Sequence, residues 1–240
     1  MGASTPVTPA RRRAAIAAVA TLAVLAPVAW FWWSSLVPAS YSVTGMGYLD
    51  TGGGPPPQQG DLSVARLTGP TDRQADVAVT LAAAAQRVTL AGGATFDGYT
   101  VGGSTPGPTI EATEGDLVEV TLVNQAVPDG VSLHWHGVDV PAAEDGVAGV
   151  TQDAVPVGGR YVYRFVADRA GTYWYHSHQD SARQVRLGLL GAFVVRPRAA
   201  DQGADELVAV VHTYGGVRTV NGAAGQTRHA LPAGSRSRVR

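Results

Sequence analysis

The sequence predicts an all-β fold, a β-sandwich or Greek-key barrel, preceded by one apolar helix of membrane-spanning length. Three observations predict it: apolar residues come in short alternating runs, Gly- and Pro-rich turn signals separate those runs, and one uncharged stretch sits near the N-terminus. With 240 residues, 45% hydrophobic and 15% charged, the chain has material for one complete domain and part of a second. Its 30 glycines and 15 prolines are numerous enough to end strands at short intervals and to disfavour long helices in the body.

Arg11, Arg12 and Arg13 precede the uncharged stretch, residues 14–37, and no basic residue follows until Arg66. At helical rise the stretch crosses about 30 Å of hydrocarbon. The charge asymmetry assigns residues 1–13 to a cytoplasmic tail and everything after the stretch to the extracytoplasmic side of a cell membrane, with Trp30, Trp32 and Trp33 near the outer interface. The stretch reads as a single-pass anchor; cleavage near Val37 or Ala39 would make it a signal peptide and the domain secreted. The arginine run also suggests a twin-arginine export signal, although the residues after it match that pattern poorly. Residues 38–75, with Gly52, Gly53 and Gly54 followed by Pro55, Pro56 and Pro57, read as a Gly/Pro-rich linker.

Charge and cysteine usage exclude whole classes of function. All 18 basic residues are arginine, and beyond the apolar stretch 15 of them face 19 acids, a net charge of −4. That balance creates no positive field for a nucleic-acid partner. With no cysteine, the chain holds no disulfide, thiolate nucleophile or Cys-containing blue-copper site.

From Asp76 onward the alternating segments are Val77/Val79/Leu81, then 117–123, 131–135, 161–166, 172–178 and 189–195. Gly92-Gly93, Gly102-Gly103, Pro106-Gly107-Pro108, Pro128-Asp129-Gly130 and Gly158-Gly159 mark the turns between them. Ala82, Ala83, Ala84 and Ala85 are good helix formers, but four residues are too few to nucleate a helix between strand-like runs. A βαβ arrangement needs amphipathic crossover helices, and the segments between the strands show no such period.

Four of the six histidines fall in two His-x-His pairs, His134-Trp135-His136 and His176-Ser177-His178. Residues i and i+2 of a strand point to one face, so each pair aims two imidazoles the same way, and two such strands side by side converge four. Neutral imidazole suits copper, zinc, iron and nickel, so the ligands alone do not name the metal. Structural histidines are the bland alternative, which two pairs on separate strands disfavour. A metallo-β-lactamase-like site needs an Asp-His after the first pair, where this chain has Gly137-Val138-Asp139-Val140. A carbonic-anhydrase-like site uses three histidines rather than two pairs.

The segments LHWHGVDVPAAEDG at 133–146, Thr151-Gln152 and GTYWYHSH at 171–178 resemble the N-terminal domain of the multicopper oxidases, the laccase-like family. Supporting matches are PGPTIEATEGD at 106–116, Asn124 and LGLLGAFVV at 187–195, so the resemblance runs from Asp76 to Arg198 and implies an N-terminal domain at residues 76–200. It implies a cupredoxin-like Greek-key β-barrel. It also implies that His134 binds the type 2 copper and that His136, His176 and His178 bind the type 3 pair of a cluster that reduces dioxygen to water. Asp145 would occupy the place of an acid that assists proton delivery, the alternative being an exposed turn residue before Gly146. Trp135 and Trp174 read as packing residues, and His212 and His229 match no ligand motif. Where many members carry a cysteine after Thr-Gln, this chain has Asp153-Ala154, so a structural disulfide there is absent.

The family's type 1 copper site and its other four cluster histidines have no counterpart here. Residues 205–240 resemble the start of a second cupredoxin domain, and residues 235–240 alternate like a strand without partners. The expectation is an incomplete, membrane-anchored fragment of an enzyme that takes single electrons from a donor substrate and needs C-terminal cupredoxin domains, by truncation or on a partner chain. A non-catalytic extracytoplasmic copper-binding or copper-sequestering module is the alternative, and a zinc hydrolase a more distant one. The donor substrate and the oligomeric state are not written in these residues.

Overall fold

The computed structural model describes residues 9–35, 64–199 and 205–240, and the chain divides into two compact units, residues 1–39 and 40–240. Among its described residues the first unit holds one helix, α1 (Pro9–Ser34), whose 26 residues span about 39 Å. It is long and apolar enough to cross a membrane. It begins before residue 14 and takes in Arg11, Arg12 and Arg13, because Pro9 at the first helical position loses no internal hydrogen bond and arginine propagates a helix well. The expected tail before residue 9, the end of the apolar stretch past residue 35, and the linker as far as residue 63 lie outside the described residues.

The body of the second unit is built on β1 (Val77–Thr89), β2 (Thr95–Val101), β3 (Gly107–Thr113), β4 (Leu117–Asn124), β5 (Leu133–His136), β6 (Arg160–Val166), β7 (Gly171–Ser177) and β8 (Leu190–Arg196). They form two four-stranded sheets, ordered β2-β1-β4-β6 and β3-β8-β7-β5. The β1–β4 and β3–β8 pairs are parallel and the other neighbours antiparallel. From β2 to β7 the chain changes sheet at every connection, which makes a sandwich closed by crossing links rather than a meander.

Alternation along the strands fills the space between the sheets. On β4, Val118, Val120 and Leu122 are fully buried while Glu119, Thr121 and Val123 are partly exposed. Across from them Trp135 lies 4.8 Å from the ring of Phe165, 5.4 Å from Tyr163 and 6.1 Å from Phe193. Aromatic residues of this kind each remove roughly 150–250 Å² from water and dominate the energy of such a core.

Four features depart from the sequence expectation. The strand expected at Val77/Val79/Leu81 runs on to Thr89: the alanines at 82–85, read as too few to nucleate a helix, lie within β1, where Ala82 and Ala83 pair with β4 and Ala83 to Ala85 with β2. Strands β2 and β3 and the short helix α2 (Ser181–Arg186) have no counterpart among the expected segments. The packed body starts before Val77: after a 3-10 turn at Val64–Arg66, Leu67 accepts a hydrogen bond from Ala143 N at 3.0 Å, and Gly69 is buried against β6. Arg164 donates to the carbonyls of Pro70 (2.9 Å) and Arg73 (2.7 Å), so residues 67–73 form a strap held to the sandwich rather than a free linker.

The fourth departure concerns the C-terminal strands: β9 (Asp205–Leu207), β10 (Val211–Tyr214), β11 (Val217–Val220), β12 (Ala223–Ala224) and β13 (Ser237–Val239). The last is not without a partner, because β13 runs parallel to β9. Glu206 draws Arg238 to 3.1 Å and Arg240 to 2.8 Å and also pairs with Arg196, and the hydrogen bond from Arg240 chiefly holds its carboxyl down at about 2. Arg240 donates as well to Thr172 Oγ1 at 2.9 Å, tying the segment to β7.

Candidate metal centre

Strands β5 and β7 pair antiparallel with His134 opposite His176, His136 opposite Trp174 and Trp135 opposite Tyr175. The pleat therefore sends Trp135 and Tyr175 into the core, both fully buried, and sets His134, His136, Trp174 and His176 on the opposite face. His178 lies just past the end of β7, where its N–H donates to Ser132 O at 3.3 Å. Its ring centroid stands 5.3 Å from that of His134 and 6.2 Å from that of His176. All four imidazoles named from the sequence thus converge on one patch.

Ligand atoms of His134, His136 and His176 lie within 4.8 Å of one another, and His136 Nδ1 is 3.2 Å from His176 Nε2. A tetrahedral ion with bonds near 2.0 Å requires nitrogens about 3.3 Å apart, which that pair already meets. Second partners fix the ring nitrogens that are not needed. His176 Nδ1 sits 2.8 Å from Ser177 O, and His134 Nδ1 sits 2.9 Å from Asp145 O and 3.1 Å from Asp145 Oδ1. An imidazole whose Nδ1–H is donated in this way presents Nε2 as a lone-pair donor, the arrangement metal-binding histidines use. Burial, with smaller contributions from the other three imidazoles, draws the pKa of His176 down to about 4 and keeps that ring neutral. The donor set therefore fits a borderline metal such as copper or zinc.

Asp145 reaches His134 through a 3-10 turn, Ala142–Glu144, of which it is the C-terminal cap. Gly146 follows with φ +72°, and a Cβ there would run into the carbonyl oxygen of Leu133. Only glycine lets the chain lie this close over β5, and that approach brings Asp145 to the imidazole beside it. The carboxylate is neither buried nor fully exposed, with 37% of its side chain accessible.

Of three neighbours of the centre, Gln184 and Glu144 escaped the sequence reading, and Trp174 was read there only as a packing residue. Trp174 lies ring to ring with His176 at 4.1 Å and His136 at 5.0 Å. Gln184 on α2 accepts from Ser177 Oγ and donates to Gly130 O at 2.9 Å, which fixes the loop that carries His178. Glu144, only 4% exposed, accepts from Gly69 N at 3.2 Å and Arg164 N at 2.9 Å; burial raises its pKa against those two bonds. The spacing around Trp174 could have flagged it, since it is the i−2 neighbour of His176 on the same face. No local signal marks Glu144, whose partner Gly69 is 75 residues away. His212 stands apart, its Nε2 3.4 Å from Arg186 O and its ring 4.4 Å from Tyr214, and His229 is exposed.

Residues 82–200 match the family model for multicopper oxidases. This stretch is a multicopper oxidase domain. It is 45% identical over 100 residues to the L-ascorbate oxidase of Cucumis sativus, a match covering 40% of this chain and 16% of that protein. Laccase-20 of Oryza sativa subsp. indica is 42% identical over 103 residues, covering 42% of this chain and 17% of that one. Among solved structures, the multi-copper oxidase from Pseudomonas Thermotolerans aligns with a TM-score of 0.58 and 29% identity over 61% of this chain and 41% of that chain. The sandwich is thus cupredoxin-like and family membership implies copper, while the matched part spans about a sixth of the length of these curated relatives.

Proposed function

We propose that this chain supplies four imidazoles of the oxygen-reducing copper cluster of a multicopper oxidase, His134 to a type 2 site and His136, His176 and His178 to a type 3 pair. The observation that carries the proposal is the convergence of His134, His136 and His176, with the Nδ1 atoms of His134 and His176 already occupied. Bound there, copper supplies the one-electron chemistry that takes dioxygen to water. The chain's own residues do the rest of the work on this face. Asp145 orients His134 and, with a partly accessible carboxylate, can pass protons inward. Trp174 screens one side of His136 and His176 from water.

With no cysteine in the chain, a type 1 site, the electron-donor substrate's place and the remaining cluster ligands belong to further cupredoxin domains. Helix α1 holds the domain on the extracytoplasmic side of the membrane, its three arginines at the cytoplasmic end. Elemental analysis and electron paramagnetic resonance of the full chain, after copper loading and dialysis, test the ligand assignment. His134→Ala and His178→Ala are each expected to lower the copper retained. Stoichiometry unchanged in both variants would refute it.

A further inference from the structure

We propose that Glu144 is a positioning residue for the metal centre: it clamps the strap at residues 67–73 to the turn that carries Asp145, and so sets the contact between Asp145 and His134. The proposal rests on the reading of the histidines as a copper site, but its geometry can be tested without metal.

A glutamate on a short surface turn is ordinarily solvated. Glu144 is 4% exposed, and its two carboxylate oxygens accept from main-chain donors of two distant elements, Gly69 N on the strap and Arg164 N on β6. A carboxylate taken from water at this depth is costly unless such bonds replace its hydration. The neighbouring cation does not take over that task, because the Arg164 guanidinium is engaged by Glu119 and by the carbonyls of Pro70 and Arg73. The turn is gripped elsewhere too: Ala143 N donates to Leu67 O at 3.0 Å, and Tyr161 Oη donates to Ala143 O at 2.9 Å. Gly69 makes the approach possible, since a Cβ there would strike the carbonyl oxygen of Arg164.

The next residue after Glu144 is Asp145, whose carbonyl and carboxylate both meet His134 Nδ1, and the one after that is Gly146, seated on Leu133. Asp145 is therefore fixed from both sides, by the clamp before it and by β5 after it. Releasing the clamp frees one side only, and Asp145 then pivots about Gly146 away from the imidazole. Partners that orient a metal-binding histidine typically change metal affinity by about 10- to 100-fold when removed.

The test compares the full chain with Glu144→Gln, which places an amide where one acceptor stood, and Gly69→Ala, which pushes the strap off and changes no residue at the centre. Two quantities are read: the nitrogen resonances of the His134 ring in metal-free protein, with His212 as internal control, and Cu(II) affinity by competition. The expected result is a shifted His134 signal with His212 unmoved, and copper binding weakened about tenfold, in either variant. An unshifted His134 signal in the folded variants overturns the proposal whatever their affinity, and one folded variant is enough to decide it. If the parent chain binds no Cu(II), the copper reading fails instead, and the His134 signal alone decides the positioning role.

Discussion

The two His-x-His pairs have the same spacing and unlike surroundings. The second pair sits at the end of β7, an inner strand bonded to β8 on one side and β5 on the other; His176, on the strand, is only 5% exposed, and His178 follows it. The pair on β5 sits on a four-residue edge strand, and His136 is exposed. Behind them, Ser177 is held by Gln184, whereas Trp135 fills the core with its bulk and leaves its Nε1 without a partner among the described residues. Strand periodicity thus delivers the directions of the rings, but it does not deliver their rigidity. On the inner strand rigidity comes with the sheet; on the edge it has to be imported from the turn at 142–146.

The contrast can be broken at several points. Trp135→Ala should cost about 3–5 kcal/mol by chemical denaturation, because a large buried ring leaves a cavity under the edge strand. A cost below about 1 kcal/mol would mean that packing is not what seats β5. Gly146→Ala should cost roughly 2–3 kcal/mol, through the strained left-handed backbone and the displaced Leu133 carbonyl. It should also disturb His134 and leave His176 in place, which imidazole resonances would reveal. On the inner strand, Ser177→Ala leaves the buried Gln184 oxygen without its donor, at about 1–2 kcal/mol, with His178 rather than His134 affected.

The smallest effect is a titration. Glu206, held at about 2 against an ordinary 4.5, has a depressed folded-state pKa. Its stabilising contribution is therefore complete above pH 4.5 and is lost as pH falls through 2. Amide exchange at Val239 and Arg240, beside the tie to Thr172 on β7, should accelerate across that window. Exchange that stays flat would show that the arginines around Glu206 do not anchor β13 to this side of the sandwich.

The sequence disclosed the histidine patch because its logic is local: i and i+2 share a face, and two such strands in one sheet meet. It disclosed β4, β6, β7 and β8 for the same reason. Strand β3 opens with Gly107-Pro108 and reads as a turn, and its parallel pairing with β8 carries an irregularity between Gly107 and Ile110. In β2 the sequence pattern is interrupted by Gly98, although the strand pairs with β1 straight through it; glycine is needed there because Phe96 and the Leu187 carbonyl crowd the backbone. The six residues of α2 are too few to show a helical period. Glu144 was illegible for a different reason, since its partners Gly69 and Arg164 become neighbours only once the sandwich has closed. Residues after 66 carry the Gly and Pro of a linker, yet they serve as a strap, because the same lack of side chain that loosens a free chain permits a close backbone approach in a packed one.

Trp174 gives the centre an optical gauge of its own. With its indole lying against His136 and His176, any cation arriving between those rings changes the field across the indole face, and the emission of that tryptophan changes with it. Occupancy can then be followed by fluorescence in an unlabelled protein, with Trp174→Phe as the blank.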